Sequence, residues 1–205
     1  MAISGPSVDG DWYTSVTGFA RHTPWLHTPM TIFTDYGLGV FAVLFLLGWW
    51  LNRSGTAERM AAALWAPAVT VAVAAASAML KTVVAEERPC SAVAHAYTLV
   101  TCPGMTDYSF PSNHATIAVA AATAIFLVDR RLGLIAVFAA VIMCVSRVYV
   151  GIHYPHDVLA GALLGVCCVL ALAPLADRLL TPLVERLRTG RLRSLVGIPE
   201  TGVHG

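Results

Sequence analysis

Two histidines, one aspartate and three cations stand out in a chain that is only 12% charged. They fall in three short blocks. The first is Lys81-Thr-Val-Val-Ala-Glu-Glu-Arg88-Pro89 and the second Pro111-Ser112-Asn113-His114. The third is Ser146-Arg147, followed after five residues by His153 and after three more by Asp157. Phosphoryl transfer needs cations to neutralise the equatorial oxygens, a nucleophile in line with the leaving oxygen, and an acid to protonate that oxygen. Arg offers a planar fork of donors matched to two phosphate oxygens and Lys a compact point charge, so Lys81, Arg88 and Arg147 can do what a metal ion does in metal-dependent phosphoryl-transfer sites. No metal or other cofactor is expected. An imidazole is a competent nucleophile when a carboxylate fixes its tautomer, and Asp157 follows His153 by one helical turn.

In order and internal spacing these blocks resemble the type 2 phosphatidic acid phosphatase superfamily, which also contains the vanadium haloperoxidases. Its pattern is K-x6-R-P, then P-S-G-H, then S-R-x5-H-x3-D. The resemblance spans Lys81 to Asp157, and the one departure is Asn113 in place of the usual Gly. It implies that His153 becomes a transient phosphohistidine. His114 is then the general acid for the leaving oxygen and afterwards activates the water that cleaves the phosphoenzyme. Ser112 and Asn113 precede the uncharged run 115–128, so they are expected at a helix start, where free N–H groups favour an anion. Asn113 is expected to mimic glycine in a left-handed conformation while adding an amide donor. Within the family, polyprenyl-diphosphate phosphatases often carry Asp, Ser or Asn here, which tilts the substrate expectation towards that class.

The remainder of the chain must place these groups. At 57% hydrophobic and a mean hydropathy of +0.70, the composition points to a polytopic membrane protein. Five stretches with few or no charges, at about 31–51, 60–80, 112–128, 132–150 and 158–177, predict an all-α helical bundle with about five transmembrane helices. Asp129-Arg130-Arg131 makes a tight polar turn between the third and fourth. With the N-terminus outside, the cytoplasmic side receives Arg53, Arg59, Arg130, Arg131, Arg178, Arg186, Arg188, Arg191 and Arg193, and the outside Arg21, Lys81, Arg88 and Arg147. Three of those four outside are the motif cations, so positive-inside bias puts the site on the extracytoplasmic face of the plasma or inner membrane, with the C-terminus cytoplasmic.

The domain reading is an N-terminal interfacial segment at 1–28, a transmembrane lipid phosphatase domain at 29–180 and a cytoplasmic basic tail at 181–205. Met1–Gly10 lacks a basic stretch followed by an apolar run, so the first span is expected to direct insertion itself. Trp12, Tyr13, Phe19, Trp25 and Leu26 suit an interfacial helix, with a plain tail as the alternative. Residues 178–195 suit an amphipathic helix on anionic lipid, or a simple topology signal, and the chain after Gly197, including His204, a frayed end. Cys144, Cys167 and Cys168 fall in apolar spans as packing residues. Cys90 and Cys102 bracket the outer loop and are expected to pair as a disulfide.

For any one motif residue alone a structural role would win, since a lone Lys or Arg at a span boundary snorkels to headgroups. For six together it does not, because ionisable groups at the membrane are costly without a function. His156 is expected in a supporting or loop position, Glu86 and Glu87 to orient Arg88 or face water, and Tyr108, Phe110, His95 and Tyr97 to anchor the loop at the interface. The expected activity is metal-independent hydrolysis of a lipid phosphate or diphosphate, foremost a polyprenyl diphosphate, with phosphatidate and phosphatidylglycerophosphate as nearest competitors. The partners implied are that lipid and the bilayer, with no nucleic acid. A haloperoxidase sits badly with the spans, and a non-catalytic lipid carrier with intact His114, His153 and Asp157.

Overall fold

The computed structural model describes residues 5–190 and 193–197. Arg191 and the tail beyond Gly197, with His204, lie outside them. The described chain is all-helical: α1 (Gly5–Arg21), α2 (Pro24–Tyr36), α3 (Leu38–Leu51), α4 (Ala57–Val84), the short α5 (Pro89–Ala92), α6 (Asn113–Val128), α7 (Arg130–Tyr149), α8 (Pro155–Leu172), a π-helical turn at Ala176–Leu180, α9 (Thr181–Thr189) and the short α10 (Arg193–Val196). Among these, the segments Ala57–Ala92, Arg130–Tyr149 and Pro155–Leu172 are long and apolar enough to cross a membrane, and α2 with α3 makes a fourth such unit bent by 54°. The first stretch, expected as one span from 31 to 51, thus begins earlier and breaks at Gly37. Helix α6 is apolar but shorter.

Its composition explains its place. Ala115, Ala118, Ala120, Ala121, Ala122 and Ala124 are all buried, and α6 packs against α3, α4, α7 and α8. Lipid tails are as apolar as the helices, so association inside a membrane rests on close van der Waals packing, which small side chains permit. On α8, Gly161 and Gly165 meet the α6 backbone around Ser112, Thr116 and Ala120, where any Cβ would collide. Asp129 separates α6 from α7 and accepts from the backbone N–H of Arg131 and Leu132, an N-cap that makes the expected helical hairpin. Larger side chains fill the seam where α3, α6 and α7 meet: Phe41, Leu44, Ile125 and Met143.

Both ends of the described chain depart from expectation in the same way, by docking on the bundle. In α1, Trp12 and Phe19 are exposed, but Tyr13 is fully buried, and its hydroxyl donates to the Gly151 carbonyl at 3.0 Å. Tyr13 is a core residue, not an interfacial one, because the α7–α8 turn offers its hydroxyl an acceptor. Burial pushes its pKa up to about 12, which keeps it a donor. At the other end the expected continuous helix over 178–195 is interrupted at Gly190. Val184 and Val196 pack on Met60 and Ala61, Trp49 Nε1 donates to the Leu195 carbonyl, and Arg53 donates to that of Ser194. Val184 and Val196 are thus covered by protein, while Leu179, Leu183 and Leu195 stay exposed.

Candidate active site

Four segments converge at one end of the bundle. Lys81 lies in the last turns of α4, and the helix stops at Ala85, whose φ of 51° turns the chain back towards the centre. Arg88 caps α5. Asn113 and His114 open α6, and Arg147 sits in the last turn of α7. The turn from α7 to α8 brings His153 back over Arg147. It passes through Gly151 at φ +85°, where a Cβ would strike the Tyr97 carbonyl, so only glycine fits. Leu99 N–H donates to the Val150 carbonyl and fixes the outer loop to the same turn.

The cavity these segments enclose is about 410 Å³ and is lined by Lys81, Arg88, Asn113, His114, Arg147 and His153 among others. Arg88 and Arg147 are each 5% exposed. Arg88 Nη1 donates to the Ile152 carbonyl at 3.0 Å and to His153 Nε2 at 3.1 Å. Because Arg has no acceptor, Nε2 must be the unprotonated nitrogen, and the ring proton sits on Nδ1. Nδ1 then donates to Asp157 Oδ2 at 3.3 Å, the tautomer a nucleophilic Nε2 requires. Burial, then the charges of Arg147, Arg88 and Lys81, hold the His153 pKa well below the usual histidine value, so the ring is a neutral imidazole. Arg147 Nε is buried without a hydrogen-bond partner, a cationic donor beside the cavity.

Asp157 is fully buried. Its Oδ2 also accepts from Ser109 Oγ at 2.5 Å and from Tyr154 N–H at 2.7 Å, and its backbone carbonyl accepts from Ser112 N–H at 3.1 Å, so the second and third blocks are joined directly. Ser146 is used structurally: its hydroxyl accepts from Thr34 at 2.7 Å and ties α7 to α2.

Two expectations are corrected here. Asn113 is not left-handed: it is the first helical residue of α6, and positive φ at non-glycine residues is confined, among the described residues, to Ala85 and His95. Its Oδ1 accepts from Ser77 Oγ at 2.7 Å, so the amide is fixed by α4, leaving its NH2 group as the donor on the cavity side. Glu86 neither orients Arg88 nor faces water. It is 1% exposed and bonds to His156 Nε2 at 3.1 Å, whereas Glu87 is exposed. Phe110 and Tyr97 are half-buried, Phe110 stacked on His156 and Tyr97 under the Arg21 guanidinium. Cys90 and Cys102 form a disulfide that closes the base of the loop.

Sequence reasoning missed Asp107 and Ser109. The Asp107 carboxylate lies 3.0 Å from Lys81 Nζ and 3.0 Å from Arg88 Nη2, and its backbone carbonyl accepts from Arg88 Nε at 2.6 Å. Partial burial acts to raise its pKa, but the hydrogen bonds and charges of Lys81 and Arg88 outweigh this and hold it below the usual carboxylate range. The only signal for either residue was its position a few residues before the second block.

Among known proteins, the model of the PAP2 superfamily matches residues 62–179, more than half the chain. The chain is similar to the undecaprenyl-diphosphatase BcrC of Bacillus subtilis, at 29% identity over 174 residues, covering 84% of this chain and 86% of that one. Over a shorter stretch it is 43% identical to an undecaprenyl-diphosphatase of Sulfolobus acidocaldarius, across 42% of this chain and 41% of the relative. Its fold is similar to the crystal structure of Aquifex aeolicus LpxE, with a TM-score of 0.64 at 22% identity, over 87% of this chain and 99% of the other.

Proposed function

The chain belongs to the PAP2 superfamily and is a membrane lipid phosphatase, and from that premise we propose that it removes the terminal phosphate of a polyprenyl diphosphate at the extracytoplasmic face. The observation that carries the reading is the grouping of Lys81, Arg88 and Arg147 around one cavity with His153 Nε2, whose ring is oriented by Asp157. A terminal phosphate entering this cavity meets three cations, the Asn113 amide and the N-terminus of α6, charges already in place before the reaction begins. His153 Nε2 attacks phosphorus as the bond to the bridging oxygen breaks, and His114 protonates that oxygen. The lipid monophosphate leaves. Water, deprotonated by His114, then attacks the phosphohistidine, releasing inorganic phosphate and neutral His153. Asp157 stabilises the imidazolium formed between the two steps.

The undecaprenyl-diphosphatase relatives support the substrate class. For sidedness the support is the segregation of charge: Arg53, Arg59, Arg130, Arg131, Arg178, Arg186 and Arg188 lie at the ends of helices opposite the catalytic end. On this reading the bent pair α2–α3, α4, α6, α7 and α8 make five passes. Helix α6 is about 24 Å long at 1.5 Å per residue, and it crosses as the central strut, packed against α3, α4, α7 and α8. Segment 1–28 rests at the outer interface and residues 181–205 lie on the cytoplasmic side.

The test is phosphate release by the purified protein in detergent from a panel of polyprenyl diphosphates, phosphatidate and phosphatidylglycerophosphate, with a strong chelator present. Turnover is expected to be highest on the polyprenyl diphosphate, and His153→Ala is expected to lose several powers of ten. Preference for a phospholipid monoester would overturn the substrate, and dependence on added magnesium would overturn the metal-free chemistry.

A further inference from the structure

His156 plays no part in the chemistry above, yet it sits in the most heavily charged buried cluster outside the cavity. It is the second residue of α8. The backbone of α1 breaks at Asp9, at φ −149° and ψ 29°, and the Asp9 carboxylate meets α8 end-on. One Asp9 oxygen accepts from the His156 backbone N–H at 2.7 Å, and the other is 2.8 Å from its Nδ1. The second ring nitrogen, Nε2, is 3.1 Å from both Glu86 oxygens and 3.5 Å from Asp157 Oδ1. That oxygen is buried and has no hydrogen-bond partner. The ring stacks on Tyr154, with centroids 5.4 Å apart. Among the described residues, the charged and titratable groups facing it are therefore Asp9 from α1, Glu86 from the segment after α4, and Asp157 and Tyr154 from its own end of α8.

A neutral imidazole has one donor and one acceptor nitrogen. Here both nitrogens face carboxylates, so a neutral ring would set a lone pair against a carboxylate oxygen. An imidazolium satisfies both sides. The neighbours require the same answer. Glu86 is 1% exposed and Asp157 fully buried, and one carboxylate oxygen of each lies with a His156 ring nitrogen in a group of three atoms within 4.8 Å of one another. Two buried carboxylates so close cannot both stay ionised without a cation between them. A protonated Asp157 would no longer stabilise a positive His153.

We infer that His156 is a positioning residue for this reaction: held as an imidazolium between Asp9 and Glu86, it keeps Asp157 ionised and aimed at His153, and ties α1 to the catalytic end. This rests on the phosphohistidine reading above. It assigns a purpose to Asp9 and Glu86, neither of which lines the cavity. The packing agrees, since a Cβ on Gly5 would collide with Tyr154 and Glu86, so the start of α1 lies directly over the cluster.

The experiment is the pH profile of kcat/KM and of KM for wild type, His156→Gln, Asp9→Asn and the double variant His156→Gln/Glu86→Gln, with thermal unfolding of each. His156→Gln keeps hydrogen-bonding capacity but removes the charge. Its loss is expected to be greatest at the acid end, about tenfold for each unit that the acid limb moves up, with KM nearly unchanged because the phosphate-binding cations are untouched. Adding Glu86→Gln removes the like charge beside Asp157 and is expected to restore part of that loss. Asp9→Asn leaves His156 protonated at low pH, so it is expected to leave the acid limb in place and to bring its loss in as pH rises, and it serves should His156→Gln fail to fold. An equal loss at every pH, or additive losses in the double variant, would reduce His156 to a packing role and overturn the inference. So would a wild-type profile that shifts in chelator, which would make Glu86, His156 and Asp157 a metal site. Absence of turnover in wild type would instead overturn the phosphatase reading and this one with it.

Discussion

Asp107→Asn is expected to tighten binding of a phosphate mimic. The Asp107 carboxylate bridges Lys81 Nζ and Arg88 Nη2, each at 3.0 Å, and so uses donors that the proposed mechanism assigns to phosphate oxygens. A phosphate must displace it. The side chain is 52% exposed, so the two ion pairs are screened, and exposed pairs of this kind contribute up to about 1 kcal/mol each. Removing the competitor should therefore return about 1–2 kcal/mol to an incoming anion, or about 5- to 30-fold in affinity. Arg88 does not lose its place in the variant, because its Nε still donates to the Asp107 backbone carbonyl and its Nη1 to the Ile152 carbonyl. The assay is inhibition of purified enzyme by vanadate and by inorganic phosphate at low and high salt. Both are expected to inhibit the variant at lower concentration, with the gain shrinking as salt rises. Unchanged or weaker inhibition would refute the reasoning and make Asp107 a residue that organises the cations.

Ser109→Ala removes a hydrogen bond to buried, ionised Asp157. Bonds to charged groups are worth about 1.5–3 kcal/mol, so kcat is expected to fall by about 10- to 100-fold with folding retained, and a loss under threefold in steady-state kinetics would place Ser109 outside the mechanism. Because burial and the surrounding cations lower the His153 pKa, the reactive neutral ring persists as pH falls, so the acid limb of kcat/KM from this group is expected well below the free histidine value of about 6.5. Arg147→Gln, which takes away one of those cations, should raise that limb as well as lower the plateau, and a limb that stays put would contradict the electrostatic cause. Topology is checked with single cysteines at Thr106 and Arg130 in an otherwise cysteine-free variant, probed in intact cells by an impermeant thiol reagent: Thr106 is expected to label and Arg130 not. The reverse pattern would put the site on the cytoplasmic leaflet.

What the sequence determined by itself is local. Lys81-x6-Arg88-Pro89, Pro111-Ser112-Asn113-His114 and Ser146-Arg147-x5-His153-x3-Asp157 are legible because each spacing is a turn of helix or a tight connection, and the membrane class because apolar runs of spanning length leave few alternatives. Helix existence followed from the same short-range pattern, and the turn between α6 and α7 from the polar run Asp129-Arg130-Arg131. The tertiary structure decided what those groups lean on. Ser109 reaches Asp157 across 48 positions, Ser77 reaches Asn113 across 36, and Asp9 reaches His156 across 147; no periodicity encodes such pairs. Tyr13 reads as an interfacial aromatic in sequence and is buried in fact, since the Gly151 carbonyl that accepts its hydroxyl exists only once α7 has turned into α8. A buried charge must find a partner wherever the fold brings one, so the reacting groups were visible in the sequence while the groups that hold their charge and tautomer were set by packing.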